Sequence, residues 1–395
     1  AQSLKKKYVN WNLMWFQKSM QNKFYDKYCR IGQDFEYLKA SRIYEKSIWK
    51  SPIFDAIKII ALEEILLDIR PRKVEYYGES VELHQSFKIL CKNLGILYES
   101  HLSKPFRRLA PYNKRHSWVP ESIKAVIQFI LKLRSLHLYK NRTHLKQFSK
   151  EKSALLCLPL NNFNHHALNE NEYRSEFIGE LPKLIKDENL HINWLHYFVR
   201  SKQFPMVGTA IKSLDLAQKN SEDEVHRLLE EYVTLSMFFR VFANWMKISI
   251  LSLIIKPSIE SFQPAGSKAS LWPILKNDWF CSLRGPDLIN NLFYYELFNN
   301  SLKEIEKQKY GFVLYENQGQ ERIFSHLWHK HNHGKLVGII HSTIRFWDLR
   351  FAGDFAKDSP TQPDLIVANG GVALNQLKLS GHLVNKLVKG EALRY

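Results

Sequence analysis

Helical segments alternate with short strand-like runs between residues 51 and 100. Residues 52–69 (PIFDAIKIIALEEILLDI) and 80–95 carry apolar side chains at helical spacing, whereas 72–78 and 96–99 have the length and the aliphatic and aromatic content of strands. The order helix, strand, helix, strand is typical of a parallel sheet with crossover helices. We therefore predict an α/β fold.

The middle of the chain continues this pattern and then becomes helical. Strands are predicted at 153–159 (SALLCLP) and 190–199 (LHINWLHYFV), with a helix at 177–187 between them. Residues 221–255 are predicted to form a long apolar-faced helix or helix pair. The most apolar stretch, 246–255, is well short of the ~20 residues that a membrane span requires.

Polar residues directly follow apolar runs in the last part of the chain. Residues 311–315 and 336–340 have the Val/Ile/Leu content of buried parallel strands, and a third strand at 363–368 leads into an Asn-Gly-Gly turn and a helix. The carboxyl ends of neighbouring parallel strands open into the ligand crevice of an α/β sheet. These strand ends therefore predict a single site.

The predicted elements divide the chain into four segments. An amino-terminal segment, 1–50, precedes a first Rossmann-like domain at 51–215. A helical connector at 216–309 leads to a second Rossmann-like domain at 310–395. This second domain has three predicted strands, whereas a complete domain of this kind has more.

The composition narrows the choice of partners. The net charge is +18, so nucleic acid, an anionic lipid surface or a phosphate-bearing substrate is the natural partner. Four cysteines lie far apart, as expected of buried thiols in a reducing compartment. The chain begins AQSLKKKY without a signal-peptide pattern, and we expect a cytoplasmic protein that contacts the inner face of a membrane.

Several motifs resemble a known family. The runs ENQGQER and HSTIRFWDLR, with ALEEILLD, NWLHYFV, LWPILKNDWFCSLRG and DLIVANGG, are similar to a bacterial surface-carbohydrate biosynthesis family over about residues 49–395. A looser similarity extends to transferases that use CMP-activated sugars such as Kdo or sialic acids. The chain departs from the ENQ-x-W-E pattern of the family, because Gln320 stands where an aromatic residue is expected to stack.

The resemblance, together with two Rossmann-like domains, implies a GT-B-like glycosyltransferase. It would move a sugar from a nucleotide-activated donor to a surface polysaccharide or lipid-linked glycan, with the acceptor held by the basic first domain. Two other classes stay open: a non-catalytic scaffold of a polysaccharide assembly complex, and a protein that binds nucleic acid through basic and aromatic residues. Nucleic acid is not the expected partner, because the sequence has no RNP, KH or zinc-finger signature.

Transfer requires a group that deprotonates the acceptor hydroxyl or, in a retaining reaction, attacks the sugar. Glu316, directly after a strand, is the first candidate, and Glu321 and His341 are further catalytic candidates. Glu321 has an equally good alternative role, because a carboxylate in the first turn of a helix interacts favourably with the helix dipole. Asn317 and Gln318 are predicted to bind sugar hydroxyls or base edges, or else to cap the helix.

The leaving nucleotide requires positive charge and N–H donors. Ser342, Thr343, Arg345 and Arg350 are the predicted phosphate contacts, since arginine suits bidentate contact with phosphate. Either arginine can instead pair with a nearby aspartate and order the loop. Donor contacts through a glycine turn at a helix start are predicted for three further residues: Asn369, Gly370 and Gly371.

Four histidines in the run HLWHKHNH, at 326–333, raise the question of a metal site. Histidines three apart occur in zinc sites, but no HExxH pattern or nearby cysteine accompanies them. Cations at a helix carboxyl terminus are favourable without a metal. No Asp-x-Asp pair is present either, so we expect a metal-independent reaction with no cofactor besides the nucleotide-sugar substrate.

Overall fold

The computed structural model has two units. Unit 1 contains Ala1–Phe129, Ala243–Asn290 and Phe346–Arg350, and unit 2 contains Ile130–Phe242, Asn291–Arg345 and Phe351–Tyr395. Within these units the structure describes residues 1–32, 34–103, 119–134, 147–148, 152–160, 173–202, 204–221, 223–255, 259–353, 355 and 359–393. Most of the basic stretch expected to hold an acceptor lies outside the described residues.

The helices and strands follow one another along the chain as follows. The helices are α1 (Gln2–Gln21), α2 (Lys23–Tyr28), α3 (Arg42–Glu45), α4 (Ile53–Ile69), α5 (Val81–Leu94), α6 (Glu121–Arg134), α7 (Leu181–Asp187), α8 (Val207–Asn220), α9 (Leu235–Ile254), α10 (Trp272–Arg284), α11 (Pro286–Glu304), α12 (Gly319–Lys330) and α13 (Gly371–Leu379). The strands are β1 (Arg30–Ile31), β2 (Phe35–Glu36), β3 (Lys73–Gly78), β4 (Leu97–Leu102), β5 (Ser153–Pro159), β6 (His191–Tyr197), β7 (Glu224–Leu228), β8 (Tyr310–Leu314), β9 (Lys335–Ile339), β10 (Leu365–Ala368) and β11 (Leu387–Lys389).

Unit 1 is mainly helical and contains two small sheets. β3 and β4 pair in parallel across α5, which confirms the predicted strand, helix and strand at 72–99. Ser80 caps α5 by accepting the Leu83 N–H over 3.1 Å, and Gly95 ends the helix at a φ of 72°. Trp15 of α1 packs edge-on against Trp279 of α10, with ring centroids 6.0 Å apart. Aromatic packing therefore helps to hold α1 against α10.

Unit 2 is built on a sheet whose described strands all run parallel. Its strand order is β11-β10-β9-β8-β5-β6-β7. If β5 is numbered 1 and the later strands follow in chain order, β7 to β10 lie in the order 3-2-1-4-5-6 of a doubly wound Rossmann-like sheet. β11 is one further strand at the edge beside β10. β5 and β6 are buried along almost their whole length, as central parallel strands are. The order reverses between β5 and β8.

The predicted strands exist, but the structure groups them differently. Those at 153–159 and 190–199, expected in a first domain, lie in the same sheet as those at 311–315, 336–340 and 363–368, expected in a second. A GT-B-like pair of Rossmann-like domains is therefore not confirmed. Because β5 pairs with β8, the large sheet contains strands from both sides of the predicted helical connector. The sheet that holds the strands of 310–395 is thus completed by strands from earlier in the chain.

Two strands of this sheet were not predicted. β7 replaces the first turns of the helix expected at 221–255. The run EDEVHRLLEEY suits a helix locally, but pairing with β6 buries Val225 and Leu228 at the sheet. Tertiary pairing thus overrides local propensity here. β11 pairs with β10 at the opposite edge.

α9 is longer than the apolar stretch expected at 246–255. An 18-residue stretch of this 20-residue helix has a mean hydropathy of 1.4, so by length and composition the helix is able to cross a membrane, and 39% of that stretch is buried inside the protein. On the buried side, Phe238 packs edge-on against Phe293 of α11, with ring centroids 5.1 Å apart. A core helix of a soluble protein meets the same criteria, so they do not by themselves place α9 in a membrane.

Candidate functional site

Two predicted site residues follow neighbouring strands next to the point where the strand order reverses. Ligands bind outside the carboxyl ends of doubly wound sheets at this point. The Tyr315 N–H donates to the Ile339 carbonyl oxygen over 2.8 Å, so Glu316 is the first residue beyond the paired part of β8. His341 occupies the corresponding position beyond β9. The sheet thus brings the ends of β8 and β9 together, as the sequence predicted.

Glu316 and His341 form a carboxylate–imidazole pair. His341 Nε2 lies 3.5 Å from Glu316 Oε1, and the Glu316 side chain is 23% exposed. Gln318 Nε2 donates to the other carboxylate oxygen. The buried His341 ring packs on Phe177, with ring centroids 4.3 Å apart. A carboxylate that solvent can reach and an imidazole held in place beside it are suited to proton transfer.

Glu321 holds the loop in place. Its Oε2 accepts the N–H of Glu316 over 2.8 Å and the N–H of Gln318 over 3.3 Å. The second contact is half of a capping box at the start of α12. The side chain is also buried. These contacts support the capping role that the sequence also indicated for Glu321, and its catalytic role stays a prediction.

We expect Glu321→Ala to lower the free energy of unfolding by about 1–2 kcal/mol, because two backbone N–H groups lose their acceptor. Glu321→Gln keeps an amide oxygen at that position and should lose less. Urea denaturation of the two variants measures the difference. Equal losses would count against capping, since an oxygen at this position would then contribute nothing.

Asn317 lies beneath the loop, within a buried network. It is fully buried, and its φ of 57° is a left-handed conformation that asparagine tolerates. Gln362 Nε2 donates to Asn317 Oδ1 over 3.2 Å, and Tyr315 Oη donates to Gln362 Oε1 over 2.5 Å. His382 Nε2 lies 3.1 Å from Tyr315 Oη. The predicted contact of Asn317 with sugar or base is therefore replaced by a role in shaping the loop.

Gln318 is the N-cap residue of α12 and links neighbouring side chains. Besides donating to Glu316, it accepts a hydrogen bond from Gln320 Nε2 over 2.9 Å. Gln320 thus makes a polar contact where the family pattern has an aromatic residue. Gln318 positions the Glu316 carboxylate, in line with the capping alternative.

The loops that follow β9 and β10 meet at the same edge of the sheet. Asn369 Nδ2 donates to the Ser342 carbonyl oxygen over 3.0 Å. Thr343 and Arg345, in the first of these loops, are exposed. The predicted phosphate contacts on this loop therefore lie near the turn that precedes α13.

The Gly370-Gly371 turn leaves room for a ligand. Gly370 has a φ of 114°, which only glycine adopts easily, and α13 begins at Gly371. A Cβ atom added at either glycine would meet nothing within 4 Å. Backbone N–H groups at a helix start favour anions. The turn is therefore suited to an anion such as a phosphate group.

Arg350 pairs with an aspartate. It is buried, and its Nε and NH2 donate to the two oxygens of Asp348 over 2.8 Å and 2.7 Å. The Nε–Nη2 edge of the guanidinium thereby makes a bidentate contact with the carboxylate. Arg350 also belongs to unit 1, whereas Arg345 belongs to unit 2. This geometry supports the alternative in which Arg350 pairs with an aspartate, and its phosphate contact stays a prediction.

Glu230 and Tyr197 also lie at this edge and were missed by the sequence prediction. Glu230 follows β7 and accepts the Phe198 N–H over 3.0 Å, just beyond β6. Burial raises the pKa of Glu230 to about 7. Burial also raises the pKa of Tyr197, and the charges of Glu321 and Glu316 add to that shift. A buried carboxyl group with a raised pKa at the carboxyl edge of the sheet is a candidate acid or base, and only the recognition of β7 reveals it.

The histidines of the 326–333 run contact different parts of unit 2. His329 Nε2 lies 3.3 Å from Asp364 Oδ1, whereas His333 Nε2 lies 2.9 Å from the Leu302 carbonyl oxygen. Among the residues whose structure is described, no group of three or more His, Cys, Asp or Glu side chains is arranged to hold a metal ion. These histidines therefore orient the end of α12 and the turn after it.

The chemistry of the carboxyl edge of the sheet is inferred only from the residues that lie there. The resemblance to a surface-carbohydrate biosynthesis family stays a prediction. No protein-family model matches the chain, and neither the curated proteins nor the solved structures give a significant match.

Proposed function

We propose that the carboxyl edge of the unit 2 sheet transfers a glycosyl group from a nucleotide-activated donor to a surface polysaccharide or lipid-linked glycan. The observation that carries this proposal is the Glu316–His341 pair, 3.5 Å apart beside the strand-order reversal. The sugar and glycan classes come from the motif resemblance, with CMP-sugars among the donors. The proposed enzyme acts in the cytoplasm, at the inner membrane face.

In the proposed reaction, the acceptor oxygen bonds to the anomeric carbon as the bond from that carbon to the phosphate oxygen breaks. The electron pair leaves on the phosphate, and Glu316 takes the acceptor proton. His341 orients the carboxylate and stabilises its charge. The negative charge on the phosphate meets Arg345 and the backbone N–H groups of the Gly370-Gly371 turn. These groups belong to the chain itself, and we propose a metal-independent reaction.

A thermal-shift panel with CMP, UDP, GDP and CDP tests the nucleotide site. A nucleotide at 100 times its Kd should stabilise the native state by about 2.7 kcal/mol. Arg345→Ala should reduce the shift without changing the melting temperature of the ligand-free protein, because Arg345 is exposed. Arg72→Ala, an exposed arginine of unit 1, is the matched control and should keep the full shift.

Other outcomes of the same panel favour the other classes. If no nucleotide shifts the melting temperature, the transferase proposal is wrong and a scaffold role is favoured. Tight, steeply salt-dependent binding of oligonucleotides would instead indicate a nucleic-acid-binding protein. A shift with one base alone identifies the donor class.

A further inference from the structure

α6 presents its apolar side chains to solvent. Five aliphatic residues of this helix are between 41% and 54% exposed and recur every three or four residues: Ile123, Val126, Ile127, Ile130 and Leu131. At about 3.6 residues per turn, they form one stripe along the helix. The surface helix of a soluble protein normally turns such a stripe inward.

The opposite side of α6 faces the protein and is mostly polar. Ala125 is fully buried, and Gln128 Nε2 donates to Asn290 Oδ1 over 3.2 Å. One turn later, Lys132 Nζ lies 5.1 Å from the centroid of the Phe293 ring. These three positions lie on one side of the helix, about 180° from the apolar stripe. The contacts fix the rotation of α6, so the apolar stripe is held outward.

The sequence around α6 is strongly basic. Residues 101–150 contain twelve Lys or Arg residues and one acidic residue, Glu121, which amounts to a net charge of +11. Most of the +18 charge of the chain is therefore concentrated in 50 of its 395 residues. An apolar stripe within a basic segment is typical of a helix that binds the surface of an anionic membrane.

We propose that α6 lies in the plane of an anionic membrane surface. The stripe from Ile123 to Leu131 enters the boundary between headgroups and acyl chains, and the net charge of +11 in the sequence of residues 101–150 favours an anionic surface. A second copy of the chain is a poorer occupant, because it would bring two segments of +11 together. This docking goes beyond the proposed transferase function and does not depend on it.

Cosedimentation of the full chain with large unilamellar vesicles tests the docking. At about 0.1 M salt the protein should bind phosphatidylcholine vesicles that contain phosphatidylglycerol, and should not bind phosphatidylcholine alone. The double variant Ile127→Asp, Leu131→Asp should reduce binding about tenfold or more. Leu184→Asp, the same change at a 54% exposed leucine of α7, should bind as the wild type does.

Two further measurements separate docking from unfolding and from self-association. All variants should keep the wild-type melting temperature, because the changed side chains are exposed, and about 0.5 M salt should release the wild-type protein from vesicles. Unchanged binding of the double variant, or equal binding to neutral vesicles, would overturn the proposal. So would a wild-type dimer that ignores vesicles and dissociates in the double variant. No nucleotide is needed, so failure here is distinct from failure of the transferase proposal.

Discussion

Glu316→Gln should lower glycosyl transfer by about 10²- to 10⁴-fold while nucleotide binding stays unchanged. The amide has the size of the carboxylate but cannot take the acceptor proton. His341, 3.5 Å away, then has no negative charge beside it. A donor-consumption assay measures the turnover, and the thermal shift with the same nucleotide measures binding.

The matched control for this variant is Glu188→Gln. Glu188 is exposed at the end of α7, before β6 begins, and so lies towards the amino ends of the strands. Its replacement should leave turnover unchanged. Normal turnover in Glu316→Gln would remove Glu316 from the chemistry. Loss of the nucleotide shift together with turnover would instead assign Glu316 to donor binding.

His333→Gln should make the fold less sensitive to acid. Burial lowers the pKa of His333 to about 4, against 6.5 for an ordinary histidine. The unfolded chain therefore binds a proton at this position between pH 6.5 and 4 and the folded chain does not, so stability is lost as the pH falls through this window. At pH 5 the loss from His333 is about 2 kcal/mol relative to pH 7.5.

Urea denaturation at pH 7.5, 6 and 5 measures the free energy of unfolding of the wild type and the variants. The effect of His333 is the difference between their pH profiles. The wild type should lose about 2 kcal/mol more than His333→Gln over this range. His191→Gln, at an exposed position, should behave as the wild type does. The comparison is needed because Glu230, whose pKa is raised to about 7, has the opposite sign and gains stability as the pH falls. Parallel pH profiles for wild type and His333→Gln would show that His333 titrates normally in the fold.

His382 is a second buried histidine whose pKa is lowered. Burial lowers its pKa to about 3, and it lies 3.1 Å from Tyr315 Oη in the network beneath the Glu316 loop. Because the unfolded chain binds a proton at this position below about pH 6.5 and the folded chain does so only near pH 3, His382 also makes the fold less stable as the pH falls.

The features of the site that could be predicted are those that depend on local sequence, namely the strand ends and the residues that follow them. A change from apolar to polar residues marks the end of a buried strand, and this change placed Glu316 and His341 after neighbouring strands. The partners of each side chain are chosen by atoms distant in the sequence. Asn317 contacts Gln362, 45 residues away, and no local pattern indicates this hydrogen bond.

Alternatives within a few residues were visible in the sequence but could not be ranked by it. Glu321 was equally suited to capping and to catalysis, and Arg350 to phosphate or to aspartate. The structure places both side chains in short-range contacts, with Gln318 and Asp348. The position of each side chain relative to its neighbours decides between its alternative roles. That position depends on how the strands pair.

The sequence by itself determined the α/β class, the positions of most strands and the residues at their carboxyl ends. Periodicity and the apolar-to-polar boundaries are local properties, so they can be read without the fold. Only the tertiary structure decided that β5 pairs with β8, which joins strands from two expected domains in one sheet, and that 224–228 is a strand. Strand pairing joins segments about 150 residues apart through backbone hydrogen bonds, which carry no side-chain signature. It is this pairing that brings Glu230 and Tyr197 to the edge that holds Glu316.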